Sequence, residues 1–231
     1  MAIVELLTSS GLGSLLGMRH ALEPDHLAAV STLVSEERGG YRAALMGLWW
    51  GLGHTLSLLV VGILLVWLRA EMPERVSDLF EFFVALMLIA LGVRAILRAL
   101  RQGPDGPERT HRHGPIVHRH PGVPAHVHIG NWTFARRPLL VGTIHGMAGS
   151  GALTALVLTT LPTTTARVAY MALFGIGSTL GMAMLSGLLG WPLARLGSNR
   201  ALGRAISLMV GCVSTLLGLV WGYPIVAKFL G

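Results

Sequence analysis

Eight consecutive residues concentrate ionisable chemistry in an apolar setting: Arg19-His20-Ala21-Leu22-Glu23-Pro24-Asp25-His26. The surrounding residues 4–34 are dominated by Leu, Ala, Val, Gly, Ser and Thr. An ionised side chain at bilayer depth costs about 3 kcal/mol or more, so such residues mark functional sites. Two imidazoles and two carboxylates within seven positions form a ligand set for a divalent cation softer than calcium or magnesium. His20, Asp25 and His26 follow an H-x4-D-H spacing. On an unbroken helix His20 and His26 would point about 120° apart, so one face could not present both. Pro24 offers the way out, because a mid-helix proline breaks the backbone ladder. Unwinding there would let the three side chains converge and would expose the His20 carbonyl as a further ligand. Arg19 stands four residues from Glu23 and is read as its ion-pair partner, stabilising the broken helix. The role of Glu23 itself stays open.

The elements that must position these groups are membrane-length. The 231 residues are 52% hydrophobic and 13% charged, with mean hydropathy +0.63. Six apolar segments, near 4–34, 43–68, 79–100, 138–161, 166–190 and 205–227, each suffice for a core that needs about 20 helical residues. The first is too long for one straight span and contains Pro24, so it is expected to be broken or re-entrant. The formal charge of +7 has no basic face with interleaved aromatics, which argues against nucleic acid. The single Cys212 excludes a disulfide framework and a thiolate metal site. With Glu5 and no Lys or Arg ahead of the first apolar run, a cleaved signal peptide is not expected.

Residues 102–135 differ from the rest: five prolines, several glycines and the pairs His111/His113, His118/His120 and His126/His128. They read as a mobile linker able to capture metal at low affinity. Residues 1–231 then form one integral membrane domain, with a first three-helix half over 1–101 and a second over 136–231. Loops after spans 1, 3 and 5 carry thirteen arginines, against Arg69, Arg75, Arg167 and Lys228 on the other side. Positive-inside asymmetry thus puts the His-rich loop in the cytoplasm and both termini outside.

The halves also resemble each other. Trp50-Gly51-Leu52-Gly53-His54-Thr55-Leu56 aligns with Phe174-Gly175-Ile176-Gly177-Ser178-Thr179-Leu180, and Gly17-Met18-Arg19-His20 with Gly142-Thr143-Ile144-His145. The offsets, 124 and 125 residues, nearly coincide. Three spans per half force the second to insert upside down, the architecture of secondary transporters. The expected fold is therefore all-α: a polytopic membrane protein of six transmembrane helices as two inverted three-helix repeats, the first helix broken at Pro24. His54 and His145, each alone in apolar surroundings, join His20, Asp25 and His26 as candidate metal ligands.

Arg19 to Ala29 resembles the R-H-A-x-x-x-D-H-I-A-A signature of the nickel/cobalt transporter (NiCoT, or NicO) family. Leu52-Gly53-His54-Thr55 is similar to its L-G-H-[ST] motif and Leu173 to Ser178 to its L-F-x-x-G motif. The resemblance implies a permease selecting Ni²⁺ or Co²⁺ through His20, Asp25, His26 and His54. Uptake members carry G-F-D-T-x-[ST]-E in the second half, whereas this chain has Ile144-His145-Gly146-Met147-Ala148-Gly149-Ser150, without a carboxylate. It therefore looks like the shorter six-helix branch, similar to urease- or hydrogenase-associated nickel permeases in the cell membrane. A nickel/cobalt efflux permease is the alternative, and an intramembrane metalloenzyme a weaker one. Neither H-E-x-x-H nor a phosphate-binding G-x-x-x-x-G-K-[ST] loop is present. No prosthetic group is expected, the metal being the transported substrate. Lipid, a second copy of the chain and cytoplasmic nickel-handling proteins are the candidate partners.

Overall fold

The computed structural model describes residues 2–35, 39–101, 110–113, 116–119, 126–129, 132–196 and 199–230. Pro104, Pro107, Pro115, His120, Pro121 and Pro124, on which the linker reading also drew, lie outside them. Seven helices carry the fold: α1 (Ala2–His20), α2 (Pro24–Val34), α3 (Gly40–Leu68), α4 (Glu74–Arg101), α5 (Arg136–Thr160), α6 (Thr164–Leu196) and α7 (Arg200–Leu230). Two short antiparallel hairpins, β1–β2 (Thr110–His113, Ile116–Arg119) and β3–β4 (His126–Ile129, Trp132–Ala135), fall in the His-rich segment. They depart from an all-helical chain, and alternating His with Val, Ile, Trp and Phe is a strand-like pattern.

Among the described residues, five helices are long and apolar enough to cross a membrane: α3, α4, most of α5, α6 and α7. Many large apolar side chains face outward, among them Trp67, Leu188 and Val220. Such surface suits contact with lipid rather than water. The first apolar segment is divided between α1, of 19 residues and interrupted by Ser and Gly, and the 11-residue α2. Residues 21–23 turn between them, Glu23 is extended (φ −64°, ψ 149°), and Pro24 opens α2 at a position where its missing N–H costs nothing. The turn is closed by backbone N–H groups of Leu22 and Glu23 donating to the carbonyls of Arg19 (2.9 Å) and His20 (3.0 Å). The His20 carbonyl thus accepts one hydrogen bond, from the Glu23 N–H.

Small residues let the helix backbones meet, as is usual where lipid removes a hydrophobic drive between helices. α3 packs on α5 and α6, α1 on α6, and α4 on α7. A Cβ on Gly17 of α1 would collide with the Phe174 carbonyl of α6, and one on Gly142 of α5 with the Trp50 carbonyl of α3. Likewise Gly177 lies against the Ser14 carbonyl and Gly53 against that of Leu139. Between α3 and α6 the Thr55 and Thr179 hydroxyls stand 2.8 Å apart, and Thr55 Oγ1 donates to the Gly175 carbonyl, also at 2.8 Å. At the far side Ser214 of α7 donates to the Leu88 carbonyl of α4 at 2.9 Å.

Candidate metal centre

Three short stretches deliver the site. His20 ends α1, Asp25 and His26 open α2, and His54 and His145 sit within α3 and α5. Breaking the helix at residues 21–23 changes the direction of the chain between His20 and His26, so both rings reach one place. The His20 and His26 ring centroids lie 4.5 Å apart, and each is 5.3 Å from that of His54. His145 stacks close to His26, at 4.0 Å between centroids, and lies 6.0 Å from His54. All five residues anticipated from the sequence therefore converge. His26, His54 and His145 are each no more than 2% exposed.

The donor atoms form two overlapping groups, His20/His26/His54 and Asp25/His26/His145, each with its ligand atoms within 4.8 Å of one another. His20 Nε2 faces His54 Nε2 at 3.3 Å. Asp25 bridges the other pair, with Oδ2 at 2.7 Å from His145 Nε2 and Oδ1 at 3.1 Å from His26 Nδ1. Where both rings donate to Asp25, the lone pairs fall on His26 Nε2 and His145 Nδ1. Both of those atoms are buried without a hydrogen-bond partner among the described residues, as is His54 Nδ1. A carboxylate that orients a histidine and fixes its tautomer is the usual support of a ligating imidazole. Trp50 closes the back, its ring 5.4 Å from His26 and 6.0 Å from His145, and Phe174 lies 5.3 Å from His20.

Glu23 lies with Oε1 2.9 Å from His20 Nδ1, so its partner is that ring rather than Arg19. The i, i+4 pairing assumed a continuous helix, which the turn abolishes. A cavity of about 280 Å³ adjoins the cluster, lined by His20, Glu23, Asp25, His26 and His145 together with Glu81, Val84, Ala148, Gly149 and Trp221. Glu81 went unremarked in the sequence, although a carboxylate within the third apolar segment was signal enough to notice it.

A helical, polytopic membrane protein with a buried cluster of four imidazoles and one carboxylate belongs to the class of membrane proteins that handle transition-metal ions. The chain is a member of the NicO family: that family's model, described as high-affinity nickel-transport protein, matches residues 6–202. It is 33% identical over 221 residues to urease accessory protein UreH of Bacillus sp. (strain TB-90), covering 95% of this chain and 92% of that one. To the chloroplast protein FOR GROWTH AND FERTILITY 1 of Arabidopsis thaliana it is 28% identical over 189 residues, 80% of this chain and half of the other. To the high-affinity nickel transport protein of Cupriavidus necator it is 30% identical over 106 residues, 38% of this chain and 30% of that one. The chain thus spans half or less of the last two relatives. No solved structure matches it.

Proposed function

We propose that this protein carries Ni²⁺ across a cell membrane as a secondary permease, with Co²⁺ as a related substrate. The observation that carries the reading is the convergence of His20, Asp25, His26, His54 and His145, far apart in sequence, on one point inside the helix bundle. Three imidazole nitrogens suit a borderline cation better than a hard one. The two donor groups share His26, so an ion could pass from one to the other without losing all its ligands. That is weaker than a closed four-ligand cage, as release demands. The turn between α1 and α2 supports a first span broken near Pro24 at the site. The reciprocal contacts Gly17–Phe174 with Gly142–Trp50, and Gly177–Ser14 with Gly53–Leu139, support two inverted repeats of three spans. The arginine asymmetry supports a cytoplasmic His-rich segment and external termini.

Nickel uptake into proteoliposomes under a proton gradient of either sign tests the reading. Movement driven by one sign identifies the coupling direction and separates import from export, whereas no nickel flux under either would overturn it. Ligation needs neutral imidazoles, and protons compete for the same lone pairs. Protons and nickel are therefore expected to compete, the affinity for nickel falling as the pH is lowered. Titrating nickel binding from neutral pH down to the onset of acid unfolding checks this, and an affinity indifferent to protons over that whole range would speak against histidine ligation.

The His-rich segment acts here as a collector rather than as the selecting site. In β1–β2, His111 pairs with His118 and His113 with Ile116 in the strand register. Deleting His111 through His128 should weaken transport at scarce nickel and leave the maximal rate intact. Complete loss of flux in a well-folded deletion would place the segment on the pathway itself.

A further inference from the structure

Four carboxylates lie along the first part of α4 and on the α1–α2 turn, and they are not used alike. Glu74 and Asp78 are both bound by Lys228 of α7, at 2.6 Å each. Glu81, three residues further into the membrane-length helix, has no ion-pair partner among the described residues and lines the same cavity as Glu23. That lining holds three carboxylates, from Glu23, Asp25 and Glu81, and neither lysine nor arginine. At its inner end stands His26, 1% exposed, with Nε2 unpartnered. Side-chain exposure falls along the way, from 52% at Glu23 to 14% at Asp25 and 1% at His26.

We propose that Glu81, with Glu23, forms the cation-attracting mouth through which a hydrated divalent metal ion reaches the histidine cluster. The inference rests on the nickel-transport reading and assigns that site its access route. Glu81, without an ion-pair partner among the described residues, and Glu23, held to His20, set negative charge above a partly desolvated passage, which focuses the field and raises the local concentration of cations. The cavity has room for an ion that still carries several waters. Inner-sphere exchange of those waters for nitrogen then falls to His20, His26 and His54.

Position fixes which end is open. Glu81 is seven residues from the start of α4 and twenty from its end, roughly 10 and 30 Å at 1.5 Å per residue. The mouth therefore belongs to the end of the bundle where α3 connects to α4. The His-rich segment leaves from the opposite end of α4. Collector and mouth thus serve opposite faces, and a single cation cannot meet both before it passes the histidines.

The test uses the full chain in proteoliposomes, with Ni²⁺ as the probe and Glu81→Gln and Glu81→Lys as the variants. At low ionic strength and scarce nickel, Glu81→Gln should slow uptake from the mouth side about tenfold, and charge reversal more. Equilibrium binding should keep the parental stoichiometry, because Glu81 lies in neither donor group. The defect should shrink at about 1 M salt, where charges are screened beyond about 3 Å. Parental uptake in both variants would overturn the mouth while leaving the transport site standing. A rate defect indifferent to salt and accompanied by lost binding would overturn it too, making Glu81 a ligand or a structural residue. A parent chain that binds no nickel would remove the transport reading and the mouth with it.

Discussion

Nickel flux through a His26→Ala variant should fall by at least about 100-fold, given that supporting partners of metal ligands alone are worth 10–100-fold. His26 is the one side chain common to both donor groups, so its loss dismantles them together. It is buried, its ring 4.0 Å from that of His145 and 5.4 Å from that of Trp50. Asp25 would keep its bond to His145 but lose the second ring that it orients. His20→Ala removes one group only and should cost less, leaving Asp25 and His145 in contact. The comparison is made on folded, membrane-inserted protein by initial rates of radioactive nickel uptake. Parental rates in His26→Ala would remove the cluster from the transport path.

The second large effect is expected far from any ligand atom. A Cβ at Gly142 would run into the Trp50 carbonyl and the His54 amide, both backbone atoms that no rotamer change can move. Gly142→Ala must therefore push α5 off α3, and overpacking of this kind costs about 1–3 kcal/mol. The same displacement carries His145, three residues further along α5, away from His26 and His54. Thermal stability and nickel transport should fall together. Gly11→Ala is the control, because nothing lies within 4 Å of its added methyl group. Alanine is worth up to about 1 kcal/mol over glycine inside a helix, so that variant should be neutral or slightly more stable. Equal behaviour of the two variants would show that the α3–α5 approach does not set the geometry of the site.

Much of this protein is legible in its sequence because membranes impose one-dimensional rules. Apolar length marks five of the helices directly, and the energetic penalty on buried ionisable groups singles out His20, Asp25, His26, His54 and His145 before any contact is known. Pro24 marks where the first segment changes direction, since a residue lacking an N–H fits the start of a helix and not its middle. The nearly equal offsets between the two halves likewise foreshadow the reciprocal glycine contacts, because repeated sequence places small residues at equivalent crossings. Three-dimensional placement decided the rest. Glu23 turned from Arg19 to His20 because the chain leaves the helix between them, and spacing rules hold only within a continuous helix. The turn that closes the break gave the His20 carbonyl the Glu23 N–H as a partner. Glu81 gained its place only when α4 packed alongside α2 and α5, and Lys228 engaged Glu74 and Asp78 because the end of α7 lies beside the beginning of α4. Sequence specifies which side chains are too costly to bury alone. Only the packing of helices specifies which of them share the burial, because that depends on backbones far apart in sequence meeting at a glycine.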